Sequence, residues 1–325
     1  MTPKTVERDL AAEIRAGNVR GLARAITMVE QRDPSLRRVT ESLADRMGHP
    51  LVVGLTGAPG TGKSTLADAL VSLVRGAGES IAVLAVDPNS PYSGGAILGD
   101  RIRMQRHALD GQVYIRSMGA RGHLGGLSVA TREAIRLLAA FGFDNVILET
   151  VGVGQSELEV AAIAGTTVVV LTPGLGDGVQ MIKAGIMEIA DVFAVNKADL
   201  PGADRTVQEI RLMLNMGPKR GWRPPIVRTT AGTGEGVPAL YEAVRAHRRH
   251  LESTGEAGER AEARLRDEAA DLVGEWSRAE ARRLLDEDAG LAAELHRERV
   301  PYGIAAEILT RRGARLVPEA ARSES

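Results

Sequence analysis

LVVGLTGAPGTGKST, residues 51–65, decides the architecture. Its first six residues are almost wholly apolar and read as a buried strand. Beyond the motif, Leu66, Leu70, Leu73 and Val74 recur at helical spacing. Between strand and helix lies GAPGTGKST (Gly57, Ala58, Pro59, Gly60, Thr61, Gly62, Lys63, Ser64, Thr65), in the setting that a phosphate-binding loop requires. Glycines let backbone N–H groups close around phosphate oxygens, and the helix N-terminus adds positive potential. Lys63 is placed to reach β- and γ-phosphates, and Ser64 to ligate Mg²⁺. A glycine-rich turn that merely caps a helix is the bland alternative, and the strand and helix flanks count against it.

Outward from this loop the same alternation continues. IAVLAVD, VYIRSM, NVILET, TTVVVLTP, DVFAVNKAD and PPIVRTTA are further strand candidates, separated by amphipathic stretches. Strands apolar on both faces and alternating with helices point to a parallel sheet covered on two sides, with ligands beyond the carboxyl ends of the strands. Residues 1–48 read as a helical extension, with Leu22, Ala25, Ile26 and Val29 on one face. STGEAGE, residues 253–259, reads as a linker. The helical stretch after it carries Leu265, Ala269, Leu272, Trp276 and Ala279 along one stripe. That stripe either packs on the chain's own core or is buried against a second copy. The division expected is therefore 1–48, 49–252 and 253–325.

Acidic and amide side chains fall at the strand ends. NKAD, residues 196–199, follows an apolar run. A carboxylate at Asp199 can accept two hydrogen bonds from guanine N1–H and its exocyclic amine, a pair of donors that adenine lacks on that edge. The Lys197 stem can lie along the base, and Asn196 can tie this loop to the phosphate loop. Thr230, Ala231 and Gly232, in TTAG, can present N–H groups to guanine O6. Asp87 ends IAVLAVD, Glu149 ends NVILET, and Asp100 lies on the connection after Asp87. A Mg²⁺ nucleotide needs such acids to hold the ion and its waters. His247 and His250 are expected to be solvated helix residues.

Composition excludes several classes. A formal net charge of -1 gives no bulk attraction to nucleic acid or anionic membrane. No apolar run approaches the ~20 residues of a membrane span, and the charged N-terminus lacks the apolar centre of a signal peptide. With no cysteine there are no disulfides or thiolate metal sites, which is compatible with a reducing cytoplasm. Only five lysines (Lys4, Lys63, Lys183, Lys197, Lys219) stand among 41 basic residues, so a lysine here marks a place where its compact ammonium or flexible stem is needed.

GAPGTGKST, AVDPNSPYSGGAILGDRIRM, RGHLGG, ETVGVGQSE, DGVQMIKAGIMEIAD and NKAD together resemble the MeaB/ArgK-type P-loop GTPases, relatives of the methylmalonic aciduria type A protein. The resemblance runs from AGNVRGLARAIT to the C-terminal helices. It implies an α/β P-loop NTPase with a mainly parallel central sheet flanked by helices, plus N-terminal and C-terminal helical extensions. It implies GTP hydrolysis with Mg²⁺ and GTP or GDP, no tightly bound organic cofactor, and Lys63, Asp87, Asp100 and Glu149 in the catalytic and metal apparatus. Ser64 and Asp100 become the metal ligands, while Gln155, Gln180 and Lys183 belong to a switch that communicates with a partner. That partner is an adenosylcobalamin-dependent acyl-CoA mutase, which such GTPases serve as chaperones, and the C-terminal arm makes a homodimer. Two rival readings are weaker. A kinase for amino-acid transport is opposed by the guanine-reading NKAD and by the lack of an H-R-D catalytic loop. A nickel metallochaperone is opposed by the absence of cysteine and by six scattered histidines.

Overall fold

The computed structural model describes residues 10–87, 105–107, 109–119, 126–150, 156–174, 187–217, 221–298 and 301–311. Its centre is a seven-stranded sheet in the order β3-β2-β4-β1-β5-β6-β7. The strands are β1 (Leu51–Thr56), β2 (Ile81–Asp87), β3 (Val113–Gly119), β4 (Asn145–Thr150), β5 (Thr166–Leu171), β6 (Val192–Asn196) and β7 (Ile226–Thr229). All neighbouring pairs are parallel. β4 and β5 are buried at every residue, so their apolar runs need no polar face. All seven strand candidates are present, and parallel pairing brings their carboxyl ends to one pole.

Two faces of the sheet are covered. On one, α3 (Lys63–Gly76) buries Leu66, Leu70 and Val74, and α7 (Val237–Thr254) buries Leu240 and Val244, against β1, β4 and β5. On the other, α1 (Val19–Gln31), α2 (Leu36–Ser42), α4 (Gly126–Phe141) and α5 (Ser156–Ile163) close over β2 and β4. α6 (Ala203–Met216) covers β5 and β6 with Val207 and Ile210. The stripe Leu22, Ala25, Ile26 and Val29 of α1 is wholly inside, which makes the N-terminal extension part of this core. Asn18 starts α1 by accepting the Arg20 amide at 2.9 Å, satisfying a donor that a helix N-terminus leaves open.

Contacts divide the chain at Arg264 and Leu265. The first unit holds the sheet. The second contains the end of α8 (Glu256–Glu287), α9 (Ala289–Glu298) and α10 (Pro301–Arg311), with Leu291, Ile304 and Ile308 packed on Ala281, Leu284 and Leu285. The linker expected at residues 253–259 is not extended. α7 runs to Thr254, α8 starts at Glu256, and only Gly255, at φ 80°, interrupts them. Glycine alone takes that left-handed conformation freely, so the break is one residue wide and the flanking residues stay helical. Along α8, Leu265 and Trp276 are 61% and 59% exposed, so among the described residues nothing covers these two members of the stripe, while Leu272 is half-buried. Among the described residues no helix is long and apolar enough to cross a membrane.

His247 is not solvated. It lies on the α7 stripe with Val237, Leu240, Val244 and Leu251, and that spacing carries it inside. Its Nδ1 meets Thr166 Oγ1 at 2.9 Å, its Nε2 lies 3.2 Å from Asp191 Oδ1, and Trp222 and His250 complete the aromatic group. Trp222 Nε1 donates to the Asp191 carbonyl at 2.8 Å. Burial, above all, pushes the His247 pKa down from 6.5 to about 4, with the Arg260 charge adding to it. Burial also raises Asp191. The unfolded chain binds the His247 proton first, so the contribution of the neutral buried ring is complete above pH 6.5 and is lost as pH falls towards 4. Stability of the native chain, relative to His247→Gln, is expected to fall by roughly 2 to 3 kcal/mol across that window. Urea unfolding at several pH values measures this. A difference independent of pH contradicts a neutral, buried His247.

Candidate nucleotide-binding site

The carboxyl pole of the sheet brings the phosphate motif, the acids and the NKAD segment together. β1 lies between β4 and β5, so the loop that follows it starts at mid-sheet. Gly57 has φ 140°, and a Cβ there would stand 2.2 Å from the Val170 carbonyl oxygen. The loop can leave β1 beside β5 only with glycine at that position. Lys63 opens α3 and is buried. Its ammonium donates to the carbonyls of Gly57 at 2.7 Å and Ala58 at 3.1 Å, and so is held within the loop.

Ser64 and Glu149 meet directly. The β1–β4 register sets Leu55 beside Glu149, so a carboxylate ends up under the first turn of α3. Ser64 Oγ donates to Glu149 Oε1 at 2.5 Å, and Glu149 is 2% exposed. A hydroxyl and a carboxylate are hard oxygen donors of the kind Mg²⁺ takes, and they lie at the foot of the phosphate loop, so this donor set fits the ion.

The NKAD segment is fastened to the phosphate loop by two of its own side chains. Asn196, 2% exposed at the end of β6, donates from Nδ2 to the Thr61 carbonyl at 2.8 Å. Its Oδ1 accepts from Thr229 Oγ1 and from the Ala231 amide, each at 3.1 Å. A Cβ on Gly62 would approach Asn196 Nδ2 to 2.5 Å, which explains the glycine. Lys197 takes the left-handed conformation, φ 54°, and its Nζ donates to the Gly60 carbonyl at 2.8 Å. Asp199 is exposed, two residues past that anchor, with its carboxylate at the surface.

TTAG uses its amides differently from the expectation. The Thr230 amide donates to the Glu235 carbonyl at 2.9 Å, and the Ala231 amide donates to Asn196. Thr233 and Gly234 amides both turn back to the Thr230 carbonyl. Among the described residues, the Gly232 amide has none of these bonds within the turn.

Lys63, Ser64, Glu149, Asn196, Lys197 and the TTAG turn are thus assembled around one loop. Asp87 ends β2 in register with Gly119, at the same pole. Asp100, Gln155, Gln180 and Lys183 lie outside the described residues. Sequence reasoning passed over Thr229 as a positioning group. Its only signal was the first letter of TTAG, and the register that sets Asn196 beside Thr229 is a tertiary fact.

Comparison with known proteins agrees with this arrangement. A putative GTPase of Pyrococcus horikoshii is 46% identical over 269 residues, covering 82% of this chain and 85% of that protein. The mouse protein named methylmalonic aciduria type A homolog, mitochondrial, is 38% identical over 254 residues, covering 72% of this chain and 61% of that one. The crystal structure of an LAO/AO transport system kinase superposes with a TM-score of 0.69 at 24% identity, over 97% of this chain and 100% of that one, which speaks for the fold. The family described as Methylmalonyl Co-A mutase-associated GTPase MeaB matches residues 22–283. With that match spanning both the phosphate loop and the NKAD segment that Asn196 ties to it, the chain belongs to the MeaB family of P-loop GTPases.

Proposed function

We propose that this P-loop GTPase uses Mg²⁺–GTP binding and hydrolysis to protect, load or reactivate an adenosylcobalamin-dependent acyl-CoA mutase of the methylmalonyl-CoA type, and that it does so as a cytoplasmic homodimer. The observation that carries the nucleotide half is Asn196, which joins the phosphate loop to the segment carrying Asp199. The mutase half is supported by the family description and by the name of the mouse relative.

In this reading Lys63 leaves the Gly57 and Ala58 carbonyls for the β- and γ-phosphates, a better match for its charge. Ser64 and Asp100 hold Mg²⁺, with Asp87 and Glu149 ordering its waters. Mg²⁺ held there would supply positive charge against the negative charge of the phosphates. Asp199 selects guanine, and the Lys197 stem lies along the base. Gln155, Gln180 and Lys183 form the switch that a docked mutase engages. The exposed stripe from Leu265 to Trp276 is covered by a second copy.

Three measurements test this. Asp199→Asn sets a donor against guanine's donors and is expected to weaken GTP by about 2 to 4 kcal/mol. Equal affinity of the native chain for ATP and GTP contradicts the base assignment. Hydrolysis alone is expected to be slow and to be stimulated by the cognate mutase, and Lys183→Ala is expected to lose about tenfold or more of that stimulation. Equal stimulated rates for native and variant exclude Lys183 from the coupling, while no response to any cobalamin-dependent mutase ends the chaperone reading. Finally, Trp276→Glu is expected to sediment as a monomer that still binds GTP. A native chain monomeric at high concentration removes the dimer.

A further inference from the structure

Thr56 is the last residue of β1, immediately before Gly57. It is completely buried, and among the described residues its hydroxyl oxygen has no hydrogen-bond partner. Valine has nearly the same shape and an equal liking for a strand, without a polar atom to leave unpaired. A buried hydroxyl left unpaired costs stability that valine would not.

Its position gives the cost a purpose. Side chains alternate along β1, so Thr56 points to the face opposite Leu55. On that face Gly54 lies against Val160 and Ala164 of the α5 region. On β4, one residue past the pair of Leu55 with Glu149, stands Thr150. It too is completely buried, and its hydroxyl reaches the Leu55 carbonyl only at 3.4 Å. Thr56 thus adjoins Gly57, whose carbonyl holds Lys63, while Thr150 adjoins Glu149, which holds Ser64. Two under-used hydroxyls stand one residue from the groups that meet phosphate and metal.

We infer that Thr56 is a positioning residue whose hydroxyl finds its hydrogen bond only when Mg²⁺–GTP fills the phosphate loop. A group unsatisfied in one state and satisfied in another shifts the equilibrium towards the second by the difference. The partner is a backbone group or a retained water brought to the Thr56–Thr150 junction as Lys63 and Ser64 turn to the nucleotide. The nucleotide-free chain then carries an unmade hydrogen bond, and GTP binding relieves it. This inference rests on the GTPase reading.

The test compares native chain with Thr56→Val, Thr56→Ala and Thr56→Ser. It measures melting temperature without nucleotide, affinity for a non-hydrolysable GTP analogue with Mg²⁺, affinity for GDP, and single-turnover hydrolysis. Thr56→Val is expected to raise the nucleotide-free melting temperature and to weaken the GTP analogue about five- to tenfold relative to native, the worth of one hydrogen bond. GDP affinity moves less, hydrolysis slows, and Thr56→Ser keeps native affinity. Should Thr56→Val not fold, Thr56→Ala must show the same loss for the analogue, with a lower melting temperature from its lost methyl. Deletion of the hydroxyl without change in analogue affinity or hydrolysis overturns the inference. A native chain that binds no GTP overturns instead the reading on which it rests, and the two failures are distinguishable.

Discussion

The buried amide of Asn196 is the interaction on which the carboxyl pole depends. One side chain joins three stretches far apart in sequence: the phosphate loop through the Thr61 carbonyl, the end of β7 through Thr229, and the turn after it through the Ala231 amide. A primary amide suits the place because it donates from one end and accepts at the other, where an ion of either sign would leave a partner unmatched. Each bond is worth about 0.5 to 1.5 kcal/mol net, but an unmade one in this buried setting costs about 1 to 3. The amide therefore couples loops more strongly than its net energy suggests. Gly62 is the corresponding sacrifice in the phosphate loop, since any side chain there would collide with Asn196.

A second tie, between Ser64 and Glu149, works across the sheet instead of along its edge. β1 and β4 are neighbours in space though separated by two strands in sequence, and their register brings a carboxylate under the helix that opens with Lys63. The helix N-terminus is a favourable place for negative charge. Ser64 gives its hydrogen to Glu149, so two hard oxygen groups lie side by side at the foot of the phosphate loop. Lys63 bonds to the Gly57 and Ala58 carbonyls and so braces the loop from within.

The sheet was legible because its strands are apolar on both faces, and only a parallel arrangement between helix layers hides such strands. That Lys63, Ser64 and Asn196 share one pole was legible because the phosphate-loop and NKAD patterns fix residue types at set spacings after buried strands. The contribution of Thr229 was hidden, since β6–β7 register is set by packing that no local pattern encodes. His247 was misjudged for a related reason: with His250 it reads as a polar i, i+3 pair, yet the stripe of Val237, Leu240, Val244 and Leu251 turns one of the two inward. STGEAGE looked like a linker from its glycines, but helix propensity on either side confines the break to Gly255.

The two poles of the sheet spend polar groups in opposite ways. At the amino pole a cleft of about 930 Å³ is lined by Arg46, Arg245, Arg248, Glu79, Asn145 and Tyr241 among others. Its charges are largely spent on each other: Glu79 meets Asn145 and Tyr241, Asp144 meets Ser80, and Arg248 joins Glu252 to the His49 carbonyl. Burial, followed by the Glu79 charge, lifts the Tyr241 pKa to about 12, so the phenol keeps its proton and goes on donating. Arg75, in the last turn of α3, likewise joins Asp110 to the Glu79 carbonyl, where cationic charge suits a helix C-terminus. Such a network fastens helix ends to strand starts and leaves little for a ligand. At the carboxyl pole the bonds gather on the phosphate loop instead, with Lys63 on its own loop carbonyls and Ser64 on the Glu149 carboxylate. The carboxyl pole thus gathers its polar bonds around a single loop, with Ser64 tying α3 to β4 and Asn196 tying that loop to β6, and this separates it from the end where such bonds join helix ends to strand starts.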